Sequence, residues 1–282
     1  MLRHLAAAFP VLRAFEEDAR HGGGSSSHDK MLRAGVCSVA ARDDNVAKNR
    51  YGNLYPFDAT LAPCSAGYVN ASVVTLRDTE RYIVAAAPMM PAWYGPDTRE
   101  AFFTMLLENN VAVVVCLAAF ERGFAGAANY LDDAAFPAVA VKCSPPQRVD
   151  AYETRAVTLT SPMTGRSRTL THVYFPRWPN YEVPRDVSEV QRLLAHVDAL
   201  GTDGTVCVHC SGGVGRSGSF VAALHTWRAL RNVAGCSAVR MDSELMRAVA
   251  ELRMQRHPWC VEFEAQMQCA RGLVAELLHI AL

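Results

Sequence analysis

The sequence has no excess of charge of either sign. Its 28 basic residues balance its 28 acidic residues, so the formal net charge is zero at pH 7. A neutral chain has no long-range attraction to nucleic acid or to an anionic membrane surface, and we expect neither as a partner. Any affinity for anions must therefore arise from a local arrangement of groups.

The sequence also lacks a long apolar run. A membrane-spanning helix needs about 20 consecutive apolar residues, whereas the most apolar stretch, VAVVVCLAAF, covers only residues 111–120 and is followed by a charged turn. We interpret it as a buried strand and expect no membrane span. Near the N-terminus, Pro10 and Arg13 interrupt a shorter apolar run and acidic residues follow, which predicts an amphipathic helix and not a signal peptide.

A paired cysteine framework is missing as well. The 9 cysteines are odd in number and scattered, and a chain of this length can bury a core without disulfides. Free thiols in a reducing compartment are therefore favoured, which predicts a cytoplasmic location. One or two structural disulfides in a secreted protein are the alternative.

The order of apolar patterns predicts one α/β domain. The segment GGGSSS, residues 22–27, separates an N-terminal helix within residues 1–30 from a domain over residues 31–282. There, short apolar runs that read as strands alternate with helical periodicities. Strands are predicted near residues 67–74, 82–89, 111–118, 153–161, 168–176 and 205–210, and helices near residues 98–110, 186–201, 217–232 and 242–256. This alternation favours a central mixed sheet flanked by helices.

The loop after the strand TVCVH carries the clearest chemical signal. It reads CSGGVGR from Cys210 to Arg216, and an amphipathic helix is predicted from about Ser217. A strand, a glycine-rich turn and a helix N-terminus together form an anion cradle, because unpaired backbone N–H groups and the helix dipole converge there. The same field lowers the pKa of a cysteine from about 8.5 towards roughly 3.5–7.5. Arg216 can hold two phosphate oxygens with its planar fork, and the Ser217 hydroxyl can donate to the sulfur.

Other readings of these residues are weaker. Cys116 and Arg122 have the same spacing, but no glycines lie between them. Cys207 and Cys210 form a Cys-x-x-Cys that could serve redox chemistry or zinc. Strand alternation, however, places Cys207 on one face and Cys210 on the other. A nucleotide-binding loop of the Walker type requires a lysine that the segment lacks, and is excluded.

The loop HCSGGVGRS resembles the signature loop of the protein tyrosine phosphatases. Further motifs follow in the family's order, and together they cover roughly residues 45–270. They are KNRYGNLYPFD (48–58), YVNAS (68–72), YIVAAAPM (82–89), NNVAVVVCLAAFERG (109–123), RWPNYEVP (177–184) and LRMQRHPWCVEFEAQM (252–267). The segment at residues 48–58 resembles the family's phosphotyrosine-recognition loop, called the tyrosine loop below. A sequence with this loop is similar to the tyrosine-specific branch of the family.

The resemblance implies a cysteinyl-phosphate mechanism on phosphotyrosine-containing proteins, with no metal or cofactor. Cys210 is the expected nucleophile, Tyr51 the aromatic wall of the pocket, and Asn53 a contact to the peptide backbone. Glu121 is expected to orient the arginine, and Gln266 matches the second glutamine of the late loop. The expected phosphate-binding groups are Arg216 and the backbone of Ser211, Gly212, Gly213, Val214 and Gly215, with His209 and Trp178 as supporting residues.

Three residues depart from the family's pattern, and all three fall at positions that protonate the leaving group or position the hydrolytic water. Asn180 stands where the family has the aspartic acid that protonates the leaving tyrosine oxygen. Gly126 aligns with a lysine that steadies this acid, and Glu262 aligns with the glutamine that positions the hydrolytic water.

Two functions remain open at this point. The first is a phosphatase with a weakened general-acid step, a step worth about 10²–10⁴-fold, in which Glu182 could substitute as the acid. The second is a pseudophosphatase that binds or traps phosphotyrosine proteins. The intact Cys210 and Arg216 favour the first. A scaffolding role without a ligand is a more distant third.

Overall fold

The computed structural model describes residues 31–32, 34–91, 95–123, 126–200 and 204–281. The predicted N-terminal helix and the Gly/Ser segment lie outside these residues. The domain boundary at residue 31 therefore stays a prediction.

Within the described residues, nine strands form a single mixed sheet. The strands are β1 (Ala71–Leu76), β2 (Glu80–Ala85), β3 (Val111–Cys116), β4 (Ala134–Ala135), β5 (Ala140–Cys143), β6 (Gln147–Val149), β7 (Tyr152–Thr160), β8 (Ser167–Tyr174) and β9 (Thr205–His209). Their order is β1-β2-β9-β3-β8-β7-β5-β4, and β6 pairs with β7. The central strands β2, β9, β3 and β8 are mutually parallel, whereas the outer pairs are antiparallel.

Helices cover both faces of this sheet. The helices of the described residues are α1 (Asp43–Val46), α2 (Arg99–Glu108), α3 (Val187–Ala199), α4 (Gly215–Leu230), α5 (Ala238–Gln255) and α6 (Glu264–Leu277), with a 3₁₀ turn at Asp58–Thr60. The helices α3 to α6 share one apolar cluster with Val206 and Val208 of β9. The helix α2 shares the other cluster with Cys207. The side-chain alternation predicted for β9 is therefore confirmed, and it separates Cys207 from Cys210.

The α/β class and the mixed sheet agree with the sequence prediction, but α4 differs from it. The prediction was an amphipathic helix, whereas residues 216–226 are all buried. The helix packs between the sheet and the helices α5 and α6, so no face of this stretch meets solvent. By contrast, α3 has a polar outer face and is capped by Asp186, whose carboxylate accepts a hydrogen bond from the Ser188 N–H at 2.9 Å.

All nine cysteines lie in the described residues and are free thiols, as the sequence predicted. None of the helices in the described ranges has the length and apolar character needed to cross a bilayer.

Candidate active site

The anion-binding loop lies at the carboxyl edge of the parallel strands, where loops of neighbouring strands meet. Cys210 follows β9, Leu117 follows β3, and the segment 175–186 follows β8. The pairing of β9 with β3 and of β3 with β8 brings these three segments together. A ligand crevice at this edge is typical of parallel α/β sheets.

The loop contains glycine at two tight positions. Gly213 has φ +70°, and a Cβ there would lie 2.1 Å from the carbonyl oxygen of Ala85. A Cβ on Gly212 would lie 2.6 Å from Leu54 Cδ1 and 3.3 Å from Tyr51. The chain therefore passes close to β2 on one side and to the tyrosine loop on the other.

Cys210 lies at the base of this loop with 3% of its surface exposed. The Gly213 N–H donates to its Sγ at 3.2 Å. Burial alone would raise the pKa of the thiol, but the Arg216 charge, the Ser217 hydroxyl and the backbone N–H groups of Ser217 and Val214 outweigh it, and the pKa is lowered. The direction agrees with the sequence prediction.

The other buried cysteines have the opposite shift. Burial raises the pKa of Cys37, Cys116 and Cys260 to about 12 in each case. Only an arranged positive field makes a buried thiol more acidic.

Arg216 connects the loop to the segment that follows β8. Its Nη1 donates to the carbonyl oxygens of Trp178 at 3.0 Å and Leu117 at 3.3 Å. Its Nη2 donates to Asn180 Oδ1 at 3.0 Å and Ser211 Oγ at 2.9 Å. These bonds orient the guanidinium through neutral acceptors.

The turn after β3 carries Glu121 and Gly126. Glu121 is exposed, and its expected role in orienting Arg216 stays a prediction. A Cβ on Gly126 would lie 2.5 Å from Glu121 Cγ and from the Glu121 carbonyl oxygen. A lysine at this position would require the turn to move. The backbone of this turn therefore fits glycine and not the lysine that the family has here.

A cavity of about 130 Å³ opens above Cys210. It brings together most of the residues singled out in the sequence: Tyr51, Asn53, Asn180, Cys210, Ser211, Gly212, Val214, Gly215, Arg216, Glu262 and Gln266. Leu54, Tyr181 and Trp259 also line it and were not predicted. Gly213 and Ser217 are not among the residues that line the cavity.

The segment after β8 places one candidate acid away from this cavity. Trp178 is buried and donates from Nε1 to the carbonyl oxygen of Glu182 at 3.0 Å. The Glu182 residue is exposed and is not among the residues that line the cavity. The geometry therefore does not support Glu182 as the substitute acid.

Arg256 supports the loop from beneath, a role that sequence reasoning missed. It is 1% exposed, and it donates to the carbonyl oxygens of Gly213 and Gly212, each at 3.1 Å, and to Asn70 Oδ1 at 2.6 Å. The buried carbonyls on the outer side of the turn are thus satisfied. Nothing in the local pattern around Arg256 indicates this contact.

His209 belongs to a second buried network. Its Nδ1 lies 3.1 Å from the carbonyl oxygen of Cys210, and its Nε2 lies 2.5 Å from the Tyr130 hydroxyl. The same hydroxyl lies 2.8 Å from His172 Nε2. Donor atoms of Cys116, His172 and His209 lie within 4.8 Å of one another, but Tyr130 already contacts both imidazoles and the Cys116 thiol resists ionisation. This arrangement fits a hydrogen-bond network better than a metal site.

The comparisons with known proteins agree with this geometry. The sequence matches the family described as Protein-tyrosine phosphatase over residues 45–276, and the chain belongs to that family.

Among curated relatives, the tyrosine-protein phosphatase non-receptor type 20 of Rattus norvegicus is 28% identical, over 83% of this chain and 55% of its own length. The tyrosine-protein phosphatase non-receptor type 13 of Homo sapiens is 25% identical over 78% of this chain and 9% of its own length. The protein-tyrosine-phosphatase PTP1 of Arabidopsis thaliana is 27% identical over 85% of this chain and 73% of its own length. The chain thus spans about half or less of the first two relatives.

Proposed function

We propose that the protein hydrolyses phosphotyrosine on proteins through a cysteinyl-phosphate intermediate. The observation that carries the proposal is the thiol of Cys210, whose pKa is lowered at the base of a cavity shared with Arg216. The thiolate attacks phosphorus, while the loop N–H groups and the guanidinium hold the equatorial oxygens. Water then cleaves the S–P bond and releases phosphate.

The wall of the cavity supports phosphotyrosine as the substrate class. Tyr51 and Leu54 pack against Gly212, and Tyr181 and Trp259 extend the lining. An aromatic ring above the phosphate fits between such side chains, and Asn53 at the edge can hydrogen-bond a peptide backbone. Nine free thiols favour action in a reducing compartment such as the cytoplasm.

The first step is expected to be weakened because Asn180 has no acidic proton. It lines the cavity and accepts a hydrogen bond from Arg216, so it occupies the region where the family's acid is expected. A tyrosine oxygen that leaves without a proton is a poor leaving group, so the missing acid at residue 180 reduces the rate by up to about 10²–10⁴-fold unless another group supplies the proton.

Two assays on the unmodified protein test the proposal. At pH 6, iodoacetate should alkylate Cys210 much faster than the other cysteines, and vanadate should protect it. Phosphate release is then compared for a phosphotyrosyl peptide and for an aryl phosphate with a strongly acidic phenol. Turnover of both, with the peptide slower, supports a phosphatase with a weakened acid step. Uniform alkylation of the thiols would refute the anion cradle.

A pseudophosphatase that traps phosphotyrosine proteins is the second candidate. The Asn180–Arg216 hydrogen bond favours it, because a neutral amide can hold the loop near the guanidinium without adding negative charge beside a phosphate. In that case, vanadate and the phosphopeptide protect Cys210 from alkylation, but no phosphate is released from either substrate.

A further inference from the structure

Protonation of the leaving tyrosine oxygen requires a group in the cavity above Cys210 that can hold a proton near neutral pH. Asn180 is an amide, a guanidinium such as that of Arg216 does not lose its proton in proteins, and Cys210 is the nucleophile. A phenol is a much weaker acid than a carboxyl group, and burial raises the pKa of Tyr181 further. Of the described residues that line this cavity, Glu262 alone carries a carboxyl group.

Glu262 is held beside the phosphate-binding loop by its own backbone. Its N–H donates to Gln266 Oε1 at 3.0 Å. The Gln266 amide packs on the loop so closely that a Cβ on Gly215 would lie 2.8 Å from Gln266 Nε2. The backbone of Glu262 is therefore connected to the phosphate-binding loop through Gln266, and Glu262 lines the cavity above that loop.

The backbone just before Glu262 is strained. Val261 has φ +56°, a conformation that a β-branched residue rarely adopts. Arg253 fixes this conformation, because it donates to the carbonyl oxygens of Cys260 and Val261, each at 3.0 Å. Strain that its surroundings enforce is typical of functional sites, and here its effect is to direct the next residue into the cavity.

The geometry of phosphoryl transfer indicates what a carboxyl group can do there. The attacking and leaving atoms lie roughly in line through phosphorus. Cys210 is buried at the base, so the tyrosine oxygen leaves on the more open side, from which water later attacks. Glu262 is an exposed residue on that open side of the cavity.

We propose that Glu262 is a catalytic residue that protonates the departing tyrosine oxygen and then accepts a proton from the attacking water. This inference rests on the proposed phosphatase function. In the first step the S–P bond forms, the P–O bond breaks, and the Glu262 proton moves to the phenolic oxygen. In the second step the water oxygen bonds to phosphorus, the S–P bond breaks, and the carboxylate takes the water proton, which restores the acid.

The electrostatics of Glu262 are consistent with both roles. The residue is exposed as a whole, but partial burial of its carboxyl group raises the pKa, so the proton is kept closer to neutral pH. The titratable or charged groups that share the cavity are Cys210, Arg216, Tyr51 and Tyr181. The rate should rise with pH as Cys210 ionises and fall as Glu262 ionises, which gives a bell-shaped profile whose basic limb belongs to Glu262.

The test is Glu262→Gln, with Glu264→Gln as the matched control. Glu264 is exposed two residues later and does not line the cavity. In Glu262→Gln we expect kcat on a phosphotyrosyl peptide to fall by about 10²–10⁴-fold and the basic limb to disappear. With an aryl phosphate of strongly acidic phenol, the variant should release a rapid burst of phenol followed by slow turnover, because the intermediate forms but water is not activated. Glu264→Gln should show neither change.

Several outcomes would overturn the inference. If Glu262→Gln is faster than wild type, or keeps its basic limb, the carboxyl group is not the acid. Loss of that limb in Glu182→Gln would assign the proton to Glu182 instead. Vanadate protection of Cys210 in Glu262→Gln checks that the site is intact. If wild type releases no phosphate from either substrate, the phosphatase proposal fails too, whereas turnover without dependence on Glu262 defeats this inference alone.

Discussion

Asn180 shows how one side chain can limit a site whose other parts are in place. In Asn180→Asp, the new carboxyl group would stand where Oδ1 now accepts from Arg216 at 3.0 Å. The guanidinium lowers the pKa of such a carboxyl, so its proton is available mainly at acid pH. We expect kcat on a phosphotyrosyl peptide to rise by less than the ceiling of about 10²–10⁴-fold, with a larger gain at pH 5.5 than at pH 7.5.

The control for Asn180→Asp is an aryl phosphate whose phenol leaves without a proton, for which kcat should hardly change. An equal gain on both substrates would mean that the substitution improves something other than protonation. The family's lysine, which Gly126 is expected to replace, would steady such an acid, so its loss is expected to limit the gain as well.

The residues of the site that could be predicted are those whose function is indicated by a local sequence pattern. The turn from Cys210 to Arg216 shows its role through the spacing of its glycines and its place between a strand and a helix. Arg256 and Tyr130 could not be found this way, because their partners lie far along the sequence. A buried arginine or tyrosine has no local pattern that distinguishes it from an exposed one.

At the scale of elements, the turn between β9 and α4 depends on the space beside β2. Gly213→Ala should destabilise the domain and abolish vanadate protection of Cys210, because its Cβ would meet the Ala85 carbonyl at 2.1 Å. Gly165→Ala is a matched control, since Gly165 has the same φ of +70° but nothing within 4 Å. Urea unfolding should show a cost of about 1–2 kcal/mol for the control and a clearly larger cost for Gly213→Ala. Equal costs would indicate that the backbone moves to accept the methyl group.

Elements with a clear periodicity or a bounded apolar run were predicted, whereas the shortest strands and the helix α6 were not. Strands such as β3 and β9 are apolar runs bounded by turns, and α3 has one apolar face. The strands β4, β5 and β6 have 2, 4 and 3 residues, too few to show alternation, and β7 holds two of them by pairing. The helix α6 was missed because the glutamine-loop motif extends into its first turn.

At the scale of the whole molecule, helices on both faces of the sheet keep water away from groups on its central strands. His172 on β8 is 1% exposed and His209 on β9 is 0% exposed. Burial lowers the pKa of His172 and lowers that of His209 to about 4. Both imidazoles therefore stay neutral in the folded domain at pH values where they gain a proton in the unfolded chain.

This difference makes the stability of the domain dependent on pH. Below about pH 6.5, the unfolded chain binds more protons than the folded domain, so the free energy of unfolding falls as the pH falls. For His209 alone the loss is on the order of 2 kcal/mol at pH 5. Urea midpoints should thus be lower at pH 5 than at pH 7.5. His172→Gln should reduce this difference, whereas His279→Gln, at an exposed position, should leave it unchanged. Equal midpoints at the two pH values would show that the buried imidazoles are protonated within the fold.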